Sequence, residues 1–110
     1  MARSSAWARG VYGPLVDGVQ RLIDAAARAG ILVNVSSARR THRQQQALYR
    51  RYLAGLNPYP VAPPGQSDHE YGYAVDLWAG DSAKTQLVGR TWRSWGGLWS
   101  ERDEVHFGLR

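Results

Sequence analysis

The chain of 110 residues contains no cysteine. Disulfides, thiolate metal ligands and a cysteine nucleophile are excluded together, so any metal must be held by histidine and carboxylate. Between Met1 and Tyr12 there are Arg3 and Arg9 but no apolar run of signal-peptide length. No stretch approaches the length of a membrane span, so membrane insertion is not expected. Lysine is nearly missing: thirteen of the fourteen basic residues are arginine. Histidine is scarce as well, with three in the chain, and no internal repeat or low-complexity tract is present.

What remains describes an ordinary globular domain, 44% apolar and 21% charged. Its length suits one domain over 1–110, with 1–13 as a lead-in segment. A net charge of +5 and a pI near 10.1 favour polyanionic partners such as nucleic acid, anionic lipid or an anionic bacterial wall. Simple solubility accounts for the same charge. The basic residues form no clustered stripe, so a nucleic-acid partner is not expected.

Pro14 suits a first helical turn, and Leu15, Val19, Leu22, Ile23 and Ala26 repeat at helical spacing up to Gly30, a C′ residue. Ile31 to Ser36 is a β-branched run of strand length. Thr41 followed by Gln44 reads as a capping box, starting a second helix whose inward face is Gln45, Leu48, Tyr49, Tyr52 and Leu53. Leu56 to Gln66 carries four prolines and a glycine and is an extended loop, one lip of a cleft. Tyr73 to Trp78 is a strand with Ala74, Asp76 and Trp78 on one face and Tyr73, Val75 and Leu77 on the other. A short helix after an N-cap at Ser82, an aromatic-flanked turn at Trp95–Trp99 and a final strand over Val105–Leu109 complete the chain. Trp78 and Trp95 are expected in the core, and His42 on the surface.

Two places concentrate chemistry. Ser67-Asp68-His69-Glu70-Tyr71-Gly72-Tyr73-Ala74-Val75-Asp76 supplies a histidine and a carboxylate seven residues later; Asp103-Glu104-Val105-His106 supplies a second histidine. His69, Asp76 and His106 could form a three-ligand metal site with an open fourth position, the pattern of catalytic zinc. Spacing alone is weak support, since unrelated histidines and an aspartate fit it too. His69 and Asp76 are an odd number apart and would face opposite ways on one strand, so a break is required, and Gly72 is the place for it. Asp103 is a candidate general base with Glu104 as rival, and either could be a solvated loop carboxylate. Arg40 could pair with a substrate carboxylate or a developing oxyanion, or be a surface arginine like Arg39, Arg43, Arg50 and Arg51. Tyr71 and Tyr73, beside His69, are candidate cleft residues.

Ser67-x-His69-x-x-Gly72-x-Ala74-x-Asp76, followed by Asp103-x-x-His106-Phe107, resembles the zinc D-alanyl-D-alanine carboxypeptidase family. Ser37-Ala38-Arg39-Arg40-Thr41 with Gln45, Leu48 and Tyr49 is similar to that family's Ser-Gly-Tyr-Arg-Thr segment and following helix. Trp95-Gly96-Gly97-x-Trp99 resembles the branch of L-alanyl-D-glutamate endopeptidases, which includes bacteriophage endolysins. The likeness spans Val33 to the end. It implies Zn2+ held by His69, Asp76 and His106, Asp103 as general base, and Arg40 binding substrate and stabilising charge. Ser67 would contact a ligand or the substrate. Ala38-Arg39 in place of Gly-Tyr, and Gly108 where Glu is common, depart from the pattern without touching a proposed ligand.

The expectation is therefore an α+β domain, a small antiparallel sheet flanked by helices, with a zinc cleft over the sheet as in the hedgehog/DD-peptidase fold. The expected activity is a zinc metallopeptidase, a hydrolase acting on the peptidoglycan stem peptide in cell wall degradation, with an endolysin-like L-alanyl-D-glutamate endopeptidase as the first reading. A D-alanyl-D-alanine carboxypeptidase and a non-catalytic zinc-stabilised binding module are the alternatives. A monomer is expected, made in the cytoplasm and reaching the wall by phage release or another export route. Ending at Arg110, the chain is expected to carry no separate wall-binding domain.

Overall fold

The computed structural model describes residues 6–109. Its main elements, in order, are α1 (Gly13–Arg28), β1 (Asn34–Ser37), α2 (His42–Leu53), β2 (Ala74–Trp78), α3 (Ser82–Ser94) and β3 (His106–Gly108), with short 3-10 turns at Ala6–Ala8, Asp68–Tyr71 and Glu101–Asp103. The strands form one antiparallel sheet in the order β1-β2-β3. The fold is the expected α+β arrangement. Among the described residues, no helix is long and apolar enough to cross a membrane.

The core lies under the face of β2 that carries Val75 and Leu77. Leu15, Val19, Leu22 and Ala26 of α1, Val88 and Trp92 of α3, Trp99 and Phe107 close around those two side chains. The α1 stripe read from the sequence is buried, with Ile23 packed at its edge. Burying each such aliphatic side chain stabilises the domain by about 1.5–3 kcal/mol relative to exposure.

Both boundaries and burial differ from the sequence reading in places; the last two strands are each shorter than read, Ala74–Trp78 and His106–Gly108. β1 begins at Asn34 rather than Ile31 because Gly30 N donates to Ala27 O and Ile31 N to Ala26 O. That is the Schellman pattern, which commits Ile31 to closing α1. α3 is capped by Asp81, whose carboxylate accepts from Lys84 N at 2.7 Å, while Ser82 is the first helical residue. The buried tryptophans are Trp92 and Trp99; Trp78 is half-buried and Trp95 is 49% exposed. Gly89 and Gly97 leave room for the Trp99 and Trp92 rings, where any Cβ would collide. Lastly, α2 buries Gln45 alone, and Tyr52 and Leu53 of its expected inward face are exposed. Its predicted cap is present in full: Thr41 Oγ1 accepts from Gln44 N, and Gln44 Oε1 accepts from Thr41 N.

Candidate metal centre

Asp76 sits mid-sheet, and register decides its neighbours. On β3 its partner is His106; on β1 it is Ser37, reached through an irregularity between Val35 and Ser37. Directly opposed residues on antiparallel strands project from the same face. Asp76 and His106 therefore share the face turned away from the apolar core.

His69 joins them from outside the sheet. Ser67 caps the 3-10 turn, its hydroxyl accepting from His69 N at 3.3 Å. Gly72 ends the turn with φ 78°, a left-handed conformation natural to glycine. This is the break that the odd spacing from His69 to Asp76 demands. Gly72 also lies against the Gly10 carbonyl, and its own carbonyl accepts from Tyr12 N at 2.8 Å, so the lead-in segment braces the turn.

The His69 ring is 2% exposed, and its Nδ1 lies 2.8 Å from the Ala38 carbonyl. A carbonyl only accepts, so Nδ1 carries the proton and Nε2 presents a lone pair. That Nε2 stands 3.0 Å from Asp76 Oδ1 yet has no hydrogen-bond partner. Two acceptors facing each other at this distance in a buried place are what a bound cation would satisfy. His106 completes the group: its Nδ1 is 4.0 Å from Asp76 Oδ1 and its ring centroid 5.1 Å from that of His69. One ligand atom from each of the three residues lies within 4.8 Å of the others. Burial above all, and then the neighbouring His69 ring, hold the His106 pKa below its usual value, keeping the imidazole neutral as a metal ligand must be. The donor set of two imidazoles and a carboxylate fits a divalent ion such as zinc.

Asp76 Oδ2 accepts from Arg40 Nη2 at 2.8 Å. The same guanidinium donates from Nε to Ser37 Oγ and from Nη1 to Gln45 Oε1. Arg40 is thus a brace for a ligand carboxylate, a role the sequence did not suggest. Asp103 and Glu104, rivals in sequence, part in space. Glu104 accepts from the Ser82 hydroxyl at 2.7–2.8 Å, whereas Asp103 lines the cavity beside His106. Desolvation, with Asp76 second, pushes the Asp103 pKa up to about 6, against the pull of His69 and Arg40.

The cavity has a volume of about 700 Å³. Arg40, Ser67, Asp68, His69, Asp76, Asp103 and His106 form one wall, and Asn57 with Tyr59 to Ala62 of the proline loop form much of the other. The loop is the cleft lip expected from its composition. Tyr71 and Tyr73 are outside the lining: Tyr71 turns its hydroxyl to the Gly65 carbonyl, and Tyr73 packs its ring 5.2 Å from Tyr12. Gln45, Tyr59 and Asp68 are among the lining residues that the sequence did not mark as site residues. Gln45 was visible as an inward-facing glutamine on an otherwise polar helix. Tyr59 lies within the loop already singled out. Asp68, next to His69, carried no distinguishing signal.

Residues 12–110 match the family model described as VanY, D-alanyl-D-alanine carboxypeptidase. Among solved structures, the chain is similar to a mutant of the vancomycin resistance D,D-pentapeptidase VanY from a VanB-type resistance cassette in complex with Zn(II). The TM-score is 0.67 at 23% identity, over 90% of this chain and 72% of that one. It is also similar to DacB from Streptococcus pneumoniae, with TM-score 0.70 and 20% identity over 94% and 68% of the two chains. The Serratia marcescens L-Ala D-Glu endopeptidase ChiX matches with TM-score 0.67 and 24% identity over 99% of this chain and 87% of its own. At these identities the likeness to the solved structures is one of fold. The family model runs from the end of the lead-in through β3, and the chain belongs to the VanY family of D-alanyl-D-alanine carboxypeptidases, the peptidoglycan peptidases.

Proposed function

We propose that the protein is a zinc-dependent peptidoglycan peptidase that cuts the stem peptide internally, after its L-alanine, as an L-alanyl-D-glutamate endopeptidase. One observation carries the metal chemistry: the His69 Nε2 lone pair, buried without a hydrogen-bond partner and 3.0 Å from an Asp76 oxygen. His69, Asp76 and His106 would hold the ion, which when bound supplies Lewis-acid polarisation of the scissile carbonyl and acidifies water.

Asp103 is the general base and acid. Its carboxylate takes a proton from the attacking water as the water oxygen bonds to the carbonyl carbon. It returns that proton to the leaving amine as the carbon–nitrogen bond breaks. Desolvation brings its proton affinity toward the working pH range, as a shuttle needs. Arg40 steadies Asp76 and places a fixed positive charge in the cavity wall, where negative charge develops on the carbonyl oxygen. Ser67 fixes the backbone of His69.

The internal cut is supported by the cation inventory. Arg40 is the sole arginine or lysine lining the cavity among the described residues, and Ser37, Gln45 and Asp76 already engage it. A carboxypeptidase must hold a terminal carboxylate, and an internal cut makes no such demand. The second reading, D-alanyl-D-alanine carboxypeptidase, is favoured by the description of the matching family and by a similar VanY solved with D-alanine-D-alanine. The Trp95–Trp99 resemblance supports an endolysin-like setting, as a bacteriophage or cellular monomer made in the cytoplasm and delivered to an anionic wall that suits its net charge of +5. The test is digestion of purified sacculi and a synthetic stem peptide, read by mass spectrometry. A new N-terminal D-glutamate supports the internal cut; release of D-alanine alone moves the reading to the carboxypeptidase. Cleavage of neither by the zinc-loaded protein leaves a binding module.

A further inference from the structure

Glu70 is a buried carboxylate that no step of this chemistry uses. Its side chain is 5% exposed, and it follows directly on the candidate ligand His69. Both of its oxygens reach one backbone donor, Gly65 N, at 3.0 and 2.7 Å. The other side of the same glycine is held as well, since Tyr71 donates its hydroxyl to Gly65 O at 2.7 Å. Gly65 adopts φ +87°, where a side chain would be strained. Among the described residues, the basic group placed against this carboxylate is His42 Nδ1, at 3.6 Å on a ring that is 72% exposed.

Gly65 belongs to the proline loop that faces the metal residues across the cavity. Its neighbourhood lacks regular secondary structure, and most of its residues are only half-buried. Apolar packing therefore does little to hold it. What holds it is a set of polar side chains: Glu70 and Tyr71 at Gly65, and Gln45, whose Nε2 donates to Ala62 O at 2.8 Å. Between these anchors and α2 the loop presents Asn57, Tyr59 and Val61 to the cavity, and the fold of its first turn is set by Asn57 Oδ1 accepting from Tyr59 N.

We propose that Glu70 is a positioning residue that docks the proline loop onto the metal-binding turn through Gly65 and so sets the width of the cleft in which the substrate seats. The two residues after the ligand then carry the opposite wall, and the metal turn and the loop move as one body. A charged acceptor is the stronger partner for a backbone N–H, and its loss frees the Gly65 N–H from the metal-binding turn. The consequence falls on substrate binding and not on the chemical step, because neither Asp103 nor the ligand atoms touch Gly65. This inference rests on the peptidase reading for its substrate, but the docking itself does not.

The experiment compares Glu70→Ala, Glu70→Gln and Tyr71→Phe in the full chain. Amide hydrogen exchange at Gly65 is measured without substrate, and kcat and KM are measured on the stem peptide with zinc content determined alongside. In Glu70→Ala, exchange at Gly65 is expected to accelerate and KM to rise about tenfold, the equivalent of one charge-assisted hydrogen bond, with kcat and zinc content near wild type. Glu70→Gln keeps an acceptor oxygen and should restore most of both readouts; Tyr71→Phe should give a smaller change in the same direction. Unchanged protection at Gly65 in Glu70→Ala overturns the proposal. So does a fall in kcat or zinc content with KM unaltered, which would mean that Glu70 acts on the metal turn alone. If the alanine variant does not fold, the glutamine and phenylalanine variants carry the same comparison. Wild-type inactivity on the stem peptide would count against the peptidase reading only, with the exchange arm still deciding whether Glu70 docks the loop.

Discussion

The two walls of the cleft are held by different physics. Beneath the metal wall, β2 and β3 rest on a dry core, with Val75 and Phe107 fully buried and α1 adding four buried side chains. The opposite wall has almost none of this: α2 buries Gln45 alone, and the proline loop is tied down by Gln45, Glu70 and Tyr71. A rigid foundation suits residues that must stay within a fraction of an ångström of each other. A wall held by a few polar contacts is weaker, and alterable without touching the core. Affinity for substrate can therefore vary on one side while the chemistry stays fixed on the other.

Breaking the metal wall should have the largest effects. His69→Ala and His106→Ala should each lose bound zinc and activity together, by metal analysis and turnover assays. Full zinc occupancy in both variants would remove the ligand assignment. Asp103→Asn should keep its zinc and still lose about 10²–10⁴-fold in turnover, while Glu104→Gln, which faces Ser82, stays near wild type. Reversal of those two results would make Glu104 the base.

The foundation itself comes next. Leu22→Ala should destabilise the domain by about 2–5 kcal/mol in denaturant unfolding, whereas Leu53→Ser on the exposed side of α2 should stay within about 0.5 kcal/mol. Comparable losses at both positions would mean that α2 buries a face in solution that the structure leaves open.

Arg40→Lys sharpens the comparison at the point where the walls meet. Lysine cannot bridge Asp76, Ser37 and Gln45 with one planar group. Zinc affinity should fall about 10–100-fold, as when other outer partners of metal ligands are removed. Arg39→Lys should be mild, and equal effects at the two positions would return Arg40 to the surface class.

The smallest expected effect is a pH dependence of the metal-free protein. Burial raises the Asp103 pKa to about 6 in the folded chain, from an ordinary value near 3.8. The folded state thus binds this proton more tightly than the unfolded state, and the resulting stabilisation is full below about pH 4 and lost as pH rises through about 6. Asp103→Asn has no such loss, so its melting temperature without metal should exceed that of wild type at pH 8, with the gap closing toward pH 4. A gap that widens in acid would mean that Asp103 is held ionised by a partner.

How far the sequence could be read depended on what each residue was asked to do. Local rules worked where local physics decides: the α1 stripe, the Thr41–Gln44 cap, the break at Gly72 and the two faces of β2 all follow from spacing and dihedral preference. The ligand residues were visible because imidazoles and carboxylates are few and the chain lacks thiols. Side-chain direction was not visible. Tyr71 and Tyr73 stand beside the ligand in sequence, yet one caps a glycine carbonyl and the other packs on Tyr12, because a turn and a strand send neighbours different ways. The aromatic residues around Trp95 could not be sorted into buried and exposed without knowing that Gly89 and Gly97 receive the rings. The role of Arg40 hinged on Ser37 and Asp76 coming into register, a long-range fact.

That register depends on the irregularity between Val35 and Ser37. The extra backbone there carries Ser37 opposite Asp76 and sends the chain out of the sheet so that Ala38 offers its carbonyl to His69 Nδ1 and Arg40 reaches Asp76. A kink in an edge strand thereby chooses the tautomer of an imidazole on a different segment. A regular ladder through this point would instead set Ser36 opposite Asp76 and, with side chains alternating along a strand, swing the whole 37–40 stretch to the wrong face. The stretch from Ser37 to Arg40 is therefore a fixed-length gauge, and a residue inserted within it would carry the Ala38 carbonyl away from His69 or Arg40 away from Asp76 while leaving every ligand in place in the sequence.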